Sequence, residues 1–464
     1  MLRRIARLTL ALSLILTASA AGRTALDRYV EAHDANFKYE AVKTISGAGY
    51  TATVLDMISQ SWRSPQEVNR TLWQHWVTIV RPEKVTSTSG FLFITGGANG
   101  GQPPERPDPM LTRIATEAGI VVAELRMVPN QPLTFVGDTM KQRREDETIA
   151  YTWDKHLRGG DEQWPLRLPM TKSAVRAMDA VTAFSKTTAG GGVTVDKFIV
   201  SGGSKRGWTT WTTAAVDKRV VAIAPLVIDL LNIEPSFIHH WRAYGFWAPA
   251  IQDYIDMRIM DWSGTPQYRA LMKIEEPYEY RDRLTMPKMI INATGDEFFL
   301  PDSSQFYFDD LKGEKHLRYV PNTGHSLRGT DVGDTLLAFT QSIVGGKPRP
   351  RFSFKMEKDG VIRVKATDRP EEVKLWQATN PNARDFRIKT SGATYASSPL
   401  TDQGGGVFIG SVPKPEKGWT AFFVELTYIG PAKTPLKLTT GVKVVPDVYP
   451  FEAPKLNPPL SNGR

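Results

Sequence analysis

Six short apolar runs alternate with helix-period segments between Gly90 and Val344: Phe91–Thr95, Ile120–Leu125, Lys197–Val200, Val220–Ile228, Lys288–Asn292 and Leu317–Val320. Most lack two-residue alternation, as strands buried on both faces of a parallel sheet do. Amphipathic segments lie between them; one places Ala174, Ala177, Met178, Val181 and Phe184 at helical spacing. This alternation restricts the region to an α/β fold with a doubly wound, mostly parallel sheet. Tyr50–Trp62 and Trp73–Val80 read as antiparallel lead-in strands. Asn232–Thr285 breaks the pattern with aromatics such as Trp241, Tyr244 and Trp247, and reads as a helical insertion over residues 232–285.

Past Val344 the pattern changes. Gly345–Pro350 has the composition of a linker, and short β-rich runs separated by turn residues follow it. These runs predict an immunoglobulin-like β-sandwich over residues 351–446, followed by an irregular Pro-rich tail over 447–464. The first twenty residues have the form of an export signal: Arg3, Arg4 and Arg7, an apolar run to Leu16, then Ala18-Ser19-Ala20. The expected product is an exported chain, periplasmic or secreted, with an α/β domain over 21–344 and no stable membrane span after cleavage.

Composition narrows the chemistry. The 464 residues contain no cysteine, which rules out disulfides, thiol nucleophiles and thiolate-zinc sites. The net charge of +9 includes three arginines of the leader, and no Lys/Arg run exceeds two residues, so no nucleic-acid arm is expected. Gly96–Gly101 is glycine-rich, but no Gly-Lys-[Ser/Thr] follows and a phosphate-loop reading fails. His239-His240 has no carboxylate spaced to complete a metal site; no metal and no cofactor are expected.

The most informative segment is Phe198-Ile199-Val200-Ser201-Gly202-Gly203-Ser204-Lys205-Arg206-Gly207-Trp208. An apolar strand runs through Gly-x-Ser into a helix, the setting in which a sharp turn lifts a serine above a sheet. Arg206 stands where Gly-x-Ser-x-Gly has its second glycine, so the motif is irregular. His325 follows the last sheet strand, and Asp296 follows the strand before it, with Glu297 and Asp302 as competing acids. The chain order Ser204, Asp296, His325 is that of a triad on an α/β-hydrolase fold. The oxyanion donors would be the Lys205 N–H and the Gly96–Gly101 loop, with Gly97 and Ala98 as its candidates. Arg206, Glu145 and Glu147 are candidate substrate-binding residues, weighed against solvent-facing or ion-paired roles.

Several segments resemble the PhoPQ-activated pathogenicity-related proteins: Val128-Pro129-Asn130-Gln131-Pro132-Leu133, Arg144-Glu145-Asp146, Ile149–Trp153 and Gly203–Trp211. Gly203 stands where that pattern would have alanine. The resemblance implies an exported α/β-hydrolase-like protein connected with virulence, without a defined substrate. Ser204-Lys205 is also similar to the nucleophile and following basic residue of glucuronoyl esterases. The expected function is therefore a serine hydrolase acting on a small-molecule ester or a peptide. A catalytically silent binding protein is the alternative from a different class, and oligomeric state is left open.

Overall fold

The structure is a computed structural model that describes residues 22–139, 142–358 and 360–459. The export signal read over residues 1–20 lies outside these. Helix α1 (Ala25–Glu31) precedes an antiparallel meander of β1 (Lys38–Gly47), β2 (Tyr50–Ser61) and β3 (Leu72–Pro82). Then come β4 (Ser89–Ile94), α2 (Pro109–Ala118), β5 (Val122–Leu125), α3 (Glu145–Gly159), α4 (Arg167–Ser185), β6 (Lys197–Gly203), α5 (Lys205–Val216) and β7 (Val220–Leu226). The insertion contributes α6 (Ile233–Tyr244), α7 (Gln252–Asp256) and α8 (Pro266–Glu275); β8 (Lys288–Ala293), β9 (Lys315–Val320) and α9 (Val332–Val344) follow.

Strands β5, β4, β6, β7, β8 and β9 lie in that order and are all parallel. Strands β5 and β8 are buried at every residue, because both faces of the sheet are covered. Alternate side chains enter two different cores. Leu92, Ala123, Val200 and Ile290 pack with α4 and α5 on one side. Phe91, Val122, Ile199 and Ile291 pack with α2 and α9 on the other. This is why the sequence runs lack alternation. Among the described residues no helix is long and apolar enough to cross a membrane.

The C-terminal strands are β10 (Phe352–Glu357), β11 (Val361–Ala366), β12 (Glu372–Asn380), β13 (Ala396–Pro399), β14 (Val407–Ser411), β15 (Trp419–Ile429), β16 (Pro435–Thr439) and β17 (Lys443–Val445), with the short helix α10 (Ile388–Ser391) after β12. They depart from a detached immunoglobulin-like sandwich. Strands β16, β15, β12 and β13 continue the central sheet beyond β9, through the pairing of Thr439 with Leu317 and the Tyr319 N–H bond to Thr439 Oγ1 at 3.0 Å. Only β10, β11 and β14 form a second sheet. It packs face to face on the extension, with Ile362 and Val364 against Leu375, Val424 and Leu438, in the core that also holds Leu336 and Phe339 of α9. The physical reason lies at β9: left alone it would present an open parallel edge, and β16 covers that edge. Residues 446–459 are irregular and meet the insertion, where the Phe451 N–H reaches the Arg242 carbonyl at 3.2 Å.

Candidate active site

The end of β6 turns directly into α5 at Ser204, whose backbone sits at φ 57°, ψ −126°. A non-glycine residue in this sparsely populated region is strained and is held only by its surroundings. The surroundings are specific. Ser204 N–H donates to the Leu226 carbonyl at 2.8 Å and the Ser204 carbonyl accepts from Trp208 N–H at 2.9 Å. A Cβ at Gly202 would lie 2.8 Å from the Arg206 carbonyl oxygen, and one at Gly207 would lie 2.9 Å from those of Gly202 and Leu226. The glycine that lets the helix approach the strand is therefore Gly207, three residues after the serine. That relieves position 206, which is free to carry arginine without distorting the turn.

His325 lies in the loop after β9. Its Nδ1 is 2.8 Å from Asp296 Oδ2 and 3.0 Å from Oδ1. Asp296 follows β8, is buried, and is itself aimed by the Phe298 N–H, which donates to Oδ1 at 2.8 Å. The three acids that compete in the sequence have separate positions. Asp296 meets the imidazole. Glu297 accepts the His325 backbone N–H at 2.8 Å and so pins the loop. Asp302 instead pairs with His239 at 2.8 Å and Arg384 at 2.5 Å. Burial would raise the Asp302 pKa, but the charge of Arg384 and the bond to His239 outweigh it and hold the carboxyl well below its usual range.

Ser204 and His325 line one open cavity together with Gly96 and Arg206. The His325 ring packs on Phe298 with centroids 4.4 Å apart. Neither the Ser204 hydroxyl nor His325 Nε2 has a hydrogen-bond partner among the described residues. Such contacts commonly tighten only when substrate arrives. The N–H groups of Lys205, at the first turn of α5, and of Gly97 and Ala98 are likewise unpaired among the described residues. Of the Gly96–Gly101 loop it is Gly96 that borders the cavity, while Gly97, at φ 142°, leans on Met127.

The charged residues beside the serine are committed to one another. Arg206 Nη1 and Nη2 each sit 2.8 Å from a Glu145 oxygen, and its Nε donates to the Val128 carbonyl at 2.5 Å. Lys205 Nζ lies 3.0 Å from Glu145 and 2.9 Å from Asp146. Gln131 Nε2 donates to Glu145 at 2.5 Å, and the Glu145 N–H returns a bond to Gln131 Oε1. Burial opposes ionisation of Glu145, yet Arg206 and Lys205 prevail and keep its pKa far below the ordinary glutamate value. Glu147 turns away and accepts the Arg144 N–H at its own helix start. Three of the four segments quoted for their family resemblance, Val128–Leu133, Arg144–Asp146 and Gly203–Trp211, thus meet in one network around the elbow.

Sequence reasoning passed over two other residues. Asp146, which the sequence marks only within the Arg144-Glu145-Asp146 resemblance and without a role, anchors Lys205 and accepts the Tyr254 hydroxyl at 3.0 Å. Asp229, just past β7, is buried between the Tyr307 and Tyr319 hydroxyls, each 2.6 Å away. Burial pushes its carboxyl up to about 8, reinforced by the charges of Asp296 and Asp302. Among the described residues no three His, Asp or Glu side chains gather as a metal site.

The model of the PhoPQ-activated pathogenicity-related proteins matches residues 26–387. The chain belongs to this family. It is also 37% identical, over 92% of each chain, to autocrine proliferation repressor protein A of Dictyostelium discoideum. Among solved structures it is similar to acetyl xylan esterase 1 from Thermoanaerobacterium sp. JW/SL YS485, at 15% identity and a TM-score of 0.47 over 69% of this chain and 91% of that one. A glucuronoyl esterase from Solibacter usitatus is similar at 14% identity and a TM-score of 0.39, over 68% and 91%.

Proposed function

We propose that this family member is an exported serine hydrolase in which Ser204 is the nucleophile, His325 the base and Asp296 the residue that fixes the imidazole. The observation that carries this reading is the 2.8 Å bond between Asp296 and His325, whose ring borders the cavity that a strained elbow at Ser204 also lines. Ser204 Oγ attacks the acyl carbon while its proton passes to His325 Nε2. Asp296 holds the tautomer that leaves Nε2 free and stabilises the imidazolium. The oxyanion is met by the Lys205 N–H at the positive end of α5 and by an N–H of the Gly96–Gly101 loop, from Gly97 or Ala98. The leaving group departs with the proton from His325. Water, deprotonated by the same imidazole, then releases the acyl group as a carboxylic acid and restores Ser204.

An ester fits the site better than a peptide bound by its amino terminus. Such a peptide needs an unpaired carboxylate near the serine, and Glu145 is bound by Arg206, Lys205 and Gln131 while Glu147 caps its own helix. Export rests on the basic, apolar and small-residue order of the first twenty residues; the family's name links it to pathogenicity, and we extend that role to this chain. Ser204→Ala and His325→Ala are expected to lose a factor of roughly 10⁴–10⁶ in kcat while keeping the circular-dichroism spectrum of the parent. Activity within tenfold of the parent in either variant refutes the assignment. An intact mass with residues 1–20 still present on the exported chain refutes cleavage after Ala20.

A further inference from the structure

Ser204 borders a second, narrower cavity on the side of the insertion, distinct from the open one that holds His325 and Arg206. Its walls are mainly apolar. Trp208 of α5, Ile228 after β7, Ile233 and Phe237 of α6, and Phe299 after β8 surround it. The space open to water centres is about 50 Å³. The open cavity offers about 440 Å³ on the same measure, so the narrow one has room for only a short chain.

The walls are fixed. Trp208 cannot swing aside without losing the bond from its Nε1 to the Glu275 carbonyl at 2.5 Å and its edge contact with Trp153. The charged groups at the margin are paired among themselves. Lys205 is held by Asp146 and Glu145, and Arg167 by Glu275 and by the Lys205 carbonyl at 2.6 Å. His240 is buried, and burial pushes its pKa down to about 3. The neutral ring accepts the Ala248 N–H at 3.0 Å. Among the described residues no cation is therefore left unpaired in this cavity to receive a carboxylate, and a charged group would enter at the cost of its hydration.

Resting on the hydrolase reading above, we infer that the narrow cavity is the acyl pocket and that the substrates are esters of short, uncharged, unbranched carboxylic acids of about two to four carbons, with the alcohol portion lying in the open cavity. Ser204 takes the acyl group, the alcohol leaves protonated, and water releases the acid.

The full exported chain is assayed on p-nitrophenyl esters from acetate to decanoate. The expected kcat/KM for the two- to four-carbon esters exceeds that of the eight-carbon ester at least tenfold. Phe237→Ala, which removes a wall of the cavity, is expected to raise the eight- to four-carbon ratio at least tenfold; Phe237→Leu gives the same direction with a smaller change, should the alanine variant fold poorly. A parent that hydrolyses the eight-carbon ester as fast as butyrate, with loss in Ser204→Ala, overturns the pocket assignment and leaves the hydrolase reading standing. An unchanged profile in both Phe237 variants also overturns it. Absence of Ser204-dependent hydrolysis across the whole series overturns the inference, and fluorophosphonate labelling of Ser204 then decides whether the hydrolase reading falls with it.

Discussion

Replacing Glu145 with alanine tests whether the ion-pair network beside the elbow positions the reacting groups or only supports the fold. The substitution removes the two 2.8 Å bonds from Arg206, one from Lys205 and one from Gln131. Lys205 retains Asp146, and Arg206 retains the Val128 carbonyl, so the net loss is essentially the bidentate pair. Two charge-assisted bonds are worth about 1.5–3 kcal/mol each. The Glu145 side chain is 41% exposed, and water that replaces it halves the loss to about 1.5–3 kcal/mol. With an unfolding entropy of about 2.1 cal/mol/K per residue, a chain of this size loses ~1 °C per kcal/mol, or ~1.5–3 °C in Tm. Function should suffer more. Arg206 ties the elbow to Val128, whose N–H donates to the Thr95 carbonyl, and the Gln131 carbonyl accepts the Asn99 N–H at 2.6 Å; the Gly96–Gly101 loop, proposed to supply an oxyanion donor, lies between these contacts. Loss of a whole oxyanion donor costs about 10²–10³ in kcat, and displacing one without deleting it should cost ~10–100-fold at nearly constant KM. Glu145→Gln, which keeps one acceptor, should fall between. Michaelis–Menten kinetics on a short-chain ester with differential scanning fluorimetry give both numbers. A lowered Tm with kcat within twofold of the parent would show that the network is structural only. A raised KM at unchanged kcat would place Glu145 on the substrate instead.

Three further outcomes are expected. Asp229→Asn should change the pH dependence of stability: below about pH 4 the native and unfolded carboxyls are both protonated, between there and about 8 only the unfolded chain releases the proton, and so the parent loses stability across that window. The variant lacks this slope and should gain on the parent from pH 5 to pH 8 in urea titrations; an equal slope in both proteins rejects the buried neutral carboxyl. Gly207→Ala places a Cβ 2.9 Å from the Gly202 and Leu226 carbonyls and the Ile228 methyl, and should cost about 1–3 kcal/mol together with most of the activity; a Tm and kcat unchanged from the parent would contradict the elbow geometry. Glu275→Ala leaves Arg167, which is 2% exposed, without its carboxylate at 3.3 Å. The expected loss is about 3–5 kcal/mol in chemical denaturation, and a loss under 1 kcal/mol would contradict a buried pair.

The parallel strands and the order of Ser204, Asp296 and His325 are readable in the sequence because both follow from local rules. A strand covered on two faces must be apolar throughout, and a nucleophile turn must have small residues at the approach. Strand β1 carries no apolar pattern to mark it, because its residues, Lys38, Glu40 and Thr44 among them, are largely exposed. Leu436–Val444 looks like one strand but divides into β16 and β17 around Thr440, whose hydroxyl accepts the Val424 N–H. The joining of the C-terminal strands to the central sheet hangs on the Thr439–Leu317 pairing, a contact between distant segments that no periodicity encodes. The same holds for the charges. Arg206 and Glu145 are each visible, but only tertiary contact shows that they satisfy one another and that Asp302 serves His239 and Arg384 instead of His325.

The most direct test of the central claim is fluorophosphonate labelling of the purified chain, with the modified residue located by peptide mass spectrometry. An activated Ser204 predicts a single adduct on that residue, with labelling abolished in His325→Ala and slowed in Asp296→Asn. A folded chain that stays unlabelled, or labels equally well without His325, contradicts an activated serine and favours the catalytically silent binding protein.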